Sequence, residues 1–143
     1  MIAVDTNILV YAHRADAPWH DVARARLVEL AESGERWGIP WPCVHEFLAI
    51  VTHPKIYRPP TPMPTAVEAI RAWTHSPGLS FLSEGPDHLL VLSRLLSAAQ
   101  IAGGQVHDAR IAAICIQSGV KRLWSVDRDF SRYPTLRTMN PLR

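Results

Sequence analysis

Two aspartates follow directly on short apolar runs. Asp5 comes after Ile2 to Val4, and Asp127 comes after "RLWSV" at 122–126. A carboxylate placed where a strand runs out of a core is costly unless something pairs with it. Two further acids occupy the early turns of helical stretches. Glu46 lies in the second turn of a helix through "CVHEFLAIVTH", and Asp108 lies in the first turn of "VHDARIAAICIQSG". Ile111, Ala112 and Cys115 follow Asp108 at helical spacing, so its carboxylate shares a face with the apolar stripe. Asp129, in the turn after Asp127, can reach the same place.

Like charges that converge need a cation or must take up protons. Arg110 and Arg128 are the basic residues close enough in sequence to fold back on them. A divalent metal is the more economical partner. Carboxylates without cysteine or paired histidine suit Mg²⁺ or Mn²⁺, hard ions that favour phosphate oxygens. Such a centre holds a phosphodiester, activates water and stabilises the charge of an in-line displacement. The implied chemistry is hydrolysis of a nucleic-acid backbone, with no serine nucleophile, histidine base or Gly-rich phosphate loop at a suitable spacing.

What positions these acids is an alternation of strands and helices. Strands are expected at Ile2–Val4, Trp37–Pro40, Leu79–Leu82, 122–126 and 136–140. Helices are expected at 7–13, 19–33 (closed by Gly34), 42–53, 65–75, 86–103 and 106–119. The segment "HPKIYRPPTPMP" holds five of the twelve prolines and reads as an extended, exposed loop, a lip over a groove. The alternation implies a mostly parallel sheet with helices on both faces. In such a sheet ligands collect beyond the carboxyl ends of the strands, which is the edge where all four acids should fall.

The chain has 143 residues, the size of one domain, with 48% hydrophobic and 20% charged residues, a globular composition. A net charge of +2 does not require a nucleic-acid partner, although thirteen of the fifteen basic residues are arginine, the better residue for bidentate phosphate contact. Cys43 and Cys115 read as reduced core residues, which suits the cytoplasm. The first apolar stretch is interrupted by Asp5, and the longest one carries Arg94 and Gln100, so neither a signal peptide nor a membrane span is expected. Arg14, Arg110, Arg128 and Arg132 are candidates for contact with a nucleic-acid backbone, and Trp19, Trp37 and Trp41 for base stacking or dimer packing.

In order along the chain, "VDTN", the isolated Glu46, "HDA" at 107–109 and "SVDRDF" at 125–130 resemble the PIN domain, and in particular the VapC ribonuclease toxins. The resemblance spans 1–143 as a single domain. It implies an α/β/α sandwich with a mostly parallel central sheet and an Mg²⁺- or Mn²⁺-dependent endoribonuclease acting on tRNA or rRNA. Asp5, Glu46, Asp108 and Asp127 would be the metal-binding acids and Asp129 an accessory one. Thr6, Asn7 and Ser125 would support them, Asn7 by orienting the first turn and the hydroxyls by bonding a carboxylate or a metal-bound water. Ser125 stands where the family often has threonine. A homodimer and a VapB-type antitoxin are the implied partners. Two other functions compete: a phosphatase of the haloacid-dehalogenase kind, which usually needs a second Asp where Asn7 stands, and a non-catalytic RNA-binding or receiver-like module.

Overall fold

A computed structural model describes residues 1–143. In chain order the elements are β1 (Ile2–Val4), α1 (Thr6–His13), α2 (His20–Glu32), β2 (Trp37–Pro40), α3 (Trp41–Val51), α4 (Met63–Trp73), β3 (Leu79–Leu82), α5 (His88–Ala98), α6 (Val106–Gln117), β4 (Arg122–Trp124) and β5 (Arg137–Met139). Short 3₁₀ turns cover Gly103–Gln105 and Arg128–Arg132.

The five strands pair in the order β3-β2-β1-β4-β5, all parallel. The chain winds outward from β1 through β2 to β3, then returns to the other side of β1 with β4 and β5. The order therefore reverses between β1 and β4, and the crevice at their carboxyl ends is the natural ligand position of such a sheet. Asp5 follows β1 and Asp127 lies just beyond β4, so they flank that crevice. The backbone ties the two strands together where they leave the sheet: Val4 is in register with Trp124, and Asp5 N–H donates to the Trp124 carbonyl at 2.9 Å.

Burial explains the apolar character of the central strands β1, β2 and β4. Ala3, Val4, Ile39 and Leu123 are fully enclosed, as are Phe47 of α3 and Ala112 to Cys115 of α6. By contrast α5 contributes no fully buried residue and leaves Leu89 and Leu90 exposed. No helix is long and apolar enough to cross a membrane.

Three expectations shift. The fifth helix stops at Ala98 rather than at the glycine pair, because Gln100 takes a left-handed φ of 54° and Ile101 N–H closes back on the Leu96 carbonyl. β4 is shorter than expected and stops at Trp124, although Ser125 N–H still donates to the Met139 carbonyl at 3.0 Å while its hydroxyl turns into the crevice. The proline-rich loop is exposed along most of its length but pinned at Thr61, which is buried. Thr61 N–H donates to the Val51 carbonyl at 2.8 Å, and its hydroxyl meets His13 Nε2 and Arg14 Nη1, each at 3.1 Å. These partners lie at the C-terminal ends of α1 and α3, the α1 end being about 12 Å of helix away from Asp5. The groove beside the loop, walled by His13, Arg14, Asp16 and Pro59 to Pro62, includes none of the candidate acids.

Gly78 marks the tightest backbone approach in the sheet region. A Cβ there would collide with the Glu35 carbonyl oxygen, and the Gly78 carbonyl itself accepts from Trp37 N–H at 3.0 Å. Gly78→Ala must push β3 off β2, so it is expected to destabilise the chain by about 1–3 kcal/mol. Thermal unfolding followed by circular dichroism tests this, and an unchanged midpoint would refute the packing argument.

Candidate metal centre

The crevice begins with Asp5, which caps α1. Its Oδ1 accepts from Thr6 N–H at 2.8 Å and from the Cys43 thiol at 3.5 Å, and its Oδ2 accepts from the Ser125 hydroxyl at 2.6 Å. Asp5 is only 5% exposed. Burial pushes its pKa up, against the pull of these three donors, and nearby Glu46 pushes in the same direction as burial. Thr6 joins the second acid: its hydroxyl donates to Glu46 Oε2 at 2.7 Å. Asn7 is the residue whose role differs from expectation. It does not brace its own turn; its Oδ1 faces Val126 N–H across the crevice at 3.5 Å, a marginal bond.

Ser125 links the two halves. While its hydroxyl donates to Asp5, it accepts from Asp127 N–H at 2.9 Å. Asp127 in turn caps the following 3₁₀ turn, its Oδ1 accepting from Asp129 N–H at 2.8 Å. Asp108, from the first turn of α6, comes down on this pair. One carboxylate oxygen each from Asp108, Asp127 and Asp129 lies within 4.8 Å of the others. Asp5 and Glu46 are outside that closest set and reach it through Ser125 and Thr6. Asp129, expected as an accessory acid, is thus nearer the cluster than Glu46.

Asp108 reports on the field in this crevice. Its pKa is raised to about 6, first by burial and then by Asp127, Asp5, Asp129 and Glu46. No basic side chain relieves the charge on Asp5, Glu46, Asp108 or Asp127. Arg110 is turned away into an ion pair with Glu84, Arg14 is paired with Asp16 and stacked on Tyr57 at the far end of α1, and Arg132 stands 3.9 Å from Asp129 alone. Arg14 and Arg110 are therefore poorly placed for the backbone role the sequence allows. Trp37 is likewise removed from the stacking candidates, since it is fully buried and its indole N–H donates to Ser76.

Cys43 is a contact that sequence reasoning missed. It is buried, as expected of a core thiol, but the thiol faces Asp5 rather than only aliphatic neighbours. The available signal was spacing: Cys43 precedes Glu46 by three residues and so lies on nearly the same side of α3.

The donor set is made of carboxylate oxygens backed by neutral hydroxyl, thiol and amide donors, and it is short of positive charge. That chemistry fits a hard divalent cation of the Mg²⁺ or Mn²⁺ type.

The parallel five-stranded sheet, its covering helices and an acid-lined switch point define a PIN-like class of protein, and comparison with known proteins agrees. The family model described as PIN domain matches residues 2–136. The VapC ribonuclease Mb2897 of Mycobacterium bovis is 34% identical over 99% of this chain and 96% of its own length. Ribonuclease VapC33 of Mycobacterium tuberculosis is 32% identical over 100% and 99%. Among solved structures, VapBC2 from Rickettsia felis, bound to a DNA fragment from its promoter, superposes with a TM-score of 0.70 at 20% identity, covering 97% of this chain and 98% of that one. VapC20 of M. tuberculosis, described as a Sarcin-Ricin loop cleaving toxin, gives 0.66 at 18% identity over 92% and 93%. The chain belongs to the PIN domain family, on the branch of the VapC ribonucleases.

Proposed function

We propose that this chain, acting as a single PIN domain, is the toxin of a type II toxin-antitoxin pair, an Mg²⁺- or Mn²⁺-dependent endoribonuclease that hydrolyses a phosphodiester of structured RNA such as tRNA or rRNA. The observation that carries this reading is the approach of Asp108, Asp127 and Asp129 within 4.8 Å at the crevice beside Asp5, with no basic side chain on Asp5, Asp108 or Asp127. The ribonuclease names of relatives at 32–34% identity over nearly the whole chain support it.

Asp5, Asp108, Asp127 and Glu46 would hold the metal, with Asp129 beside them, and once bound it supplies charge neutralisation at the phosphate and a more acidic water. The side chains have distinct tasks. Asp5 is buried and held by three donors, so it cannot swing when substrate enters, while exposed Glu46 is steadied by the Thr6 hydroxyl alone. Asp108 has no hydrogen-bond partner within the protein and is the acid free to take a proton from the attacking water at its carboxylate oxygen. Asp127 is oriented by the Asp129 N–H and, through its own N–H, by Ser125. The partners of this reading are the RNA substrate, a VapB-type antitoxin and a second copy of the chain. The two reduced, buried cysteines suit a cytoplasmic setting.

The test is cleavage of total RNA by the purified chain with Mn²⁺ or with EDTA, mapped by sequencing new 5′ ends. Cuts at defined sites are expected with Mn²⁺ only, and none from Asp5→Ala that retains its circular dichroism spectrum. RNA bound but never cut would favour the non-catalytic binding module; cleavage persisting in EDTA would refute the metal mechanism.

A further inference from the structure

A second cleft, of about 300 Å³, opens beside the acid crevice between the 3₁₀ turn Arg128–Arg132 and the outer strand β5. Ser125 and Asp127 form the wall it shares with the acids. The rest of its lining differs in chemistry. Arg128 and Arg143 both face it, and neither guanidinium is paired with a carboxylate. Ser131 and Thr138 add exposed hydroxyls. Asn140 adds an amide whose Oδ1 is already used by Leu142 N–H at 2.9 Å, which leaves its Nδ2 hydrogens as the unsatisfied end.

Among its side chains the ionised groups are Asp127, at the shared wall, and the two guanidiniums, and the free neutral donors are the hydroxyls of Ser131 and Thr138 and the amide of Asn140. Ser125 contributes no free donor, since its hydroxyl hydrogen is committed to Asp5. Two fork-shaped guanidiniums with neighbouring hydroxyl and amide donors match the oxygens of a tetrahedral anion. A strand of RNA carries such an anion at every nucleotide, so a strand with one phosphate at the acid crevice must place a neighbouring phosphate close by. We propose that this cleft is a phosphate subsite, which binds a phosphodiester adjacent to the one cleaved and thereby sets the register of the RNA strand across the acids. This rests on the ribonuclease reading above.

The experiment follows a fluorescein-labelled RNA stem-loop by anisotropy, with the full chain carrying Asp108→Asn to slow turnover, in Mg²⁺, over a range of NaCl concentrations. Arg143→Gln and Arg128→Gln are each expected to weaken binding about tenfold and to reduce the slope of log affinity against log salt by about one. The control is Arg24→Gln, on the exposed side of α2. If RNA binds but both cleft variants keep the slope of that control, the subsite is overturned and the ribonuclease reading stands. If the chain carrying an intact cleft binds no RNA at all, the reading beneath it fails as well. Titration with inorganic phosphate separates the sources: phosphate bound in an arginine-dependent way, with the RNA slope unchanged, would make the cleft a free-anion site and refute the proposal.

Discussion

Asp108→Asn is expected to lower the rate of RNA cleavage by about 10²–10³-fold, the scale set by losing one preorganised charge-handling group, and at the same time to stabilise the metal-free chain. Both effects have the same origin. Asp108 is pushed by burial and by Asp127, Asp5, Asp129 and Glu46 to a pKa of about 6, against an ordinary value of 3.8. Below the ordinary value the folded and unfolded chains both carry the proton, and the group does not bias folding. As pH rises toward 6 the unfolded chain releases its proton first, so ionisation favours unfolding. Above 6 both states are ionised and the penalty is constant. Without metal, the unsubstituted protein should therefore lose stability between roughly pH 4 and 6 relative to Asp108→Asn, by a difference on the order of 1 kcal/mol after allowance for solvent screening of this partly exposed group. Asp5, also raised by burial, titrates in the same sense in both proteins, so the difference between them reports Asp108 together with its coupling to Asp5. Saturating Mg²⁺ should reverse the ranking, because only the unsubstituted chain keeps its full ligand set and gains the full binding free energy. Unfolding midpoints against pH, in EDTA and in Mg²⁺, measure all of this; an Asn variant that is fully active, or less stable at neutral pH in EDTA, would overturn the assignment of Asp108.

How far the candidate site could be read in advance depended on how local its determinants are. Asp5 and Asp127 each follow an apolar run, and in a parallel sheet the end of a strand fixes the edge at which a residue stands. Asp108 was legible for a related reason, because its helical neighbours Ile111, Ala112 and Cys115 are all buried and bring its turn of α6 against the core. Contacts made across the sheet were not legible in this way. Nothing local says that Asn7 reaches Val126, that Arg110 turns to Glu84, or that the Cys43 thiol meets Asp5. Arg14 shows the limit most simply. It is near Asp5 in sequence, but eight residues of helix carry it to the opposite end of α1 and into the network that anchors the proline-rich loop at Thr61. The ends of elements were similarly hidden: a left-handed residue at Gln100 stops α5 before the glycines do.

Ser125→Ala should reduce both Mn²⁺ affinity and cleavage by about 10–100-fold, with Ser125→Thr recovering most of the loss. This one hydroxyl donates to Asp5 Oδ2 and accepts from Asp127 N–H, in a position only 2% exposed. Alanine leaves a buried acceptor and a neighbouring donor without partners, which should cost about 1–3 kcal/mol in chemical denaturation. It also alters the acid itself. The Ser125 bond is the strongest of the influences holding the Asp5 pKa down against burial, so removing it lets that pKa rise further. A metal needs the carboxylate deprotonated, and the defect in Mn²⁺ binding should therefore deepen as pH falls. Calorimetric Mn²⁺ titrations of the three proteins at two pH values separate this from plain loss of stability, which would not follow proton concentration in the same way. Threonine restores the hydroxyl while adding a methyl group, and recovery by it would locate the effect in the oxygen. If alanine and the unsubstituted protein bound Mn²⁺ equally at both pH values, Ser125 would be a packing residue and the two halves of the crevice would be held together by the β1–β4 backbone and the Asn7–Val126 contact.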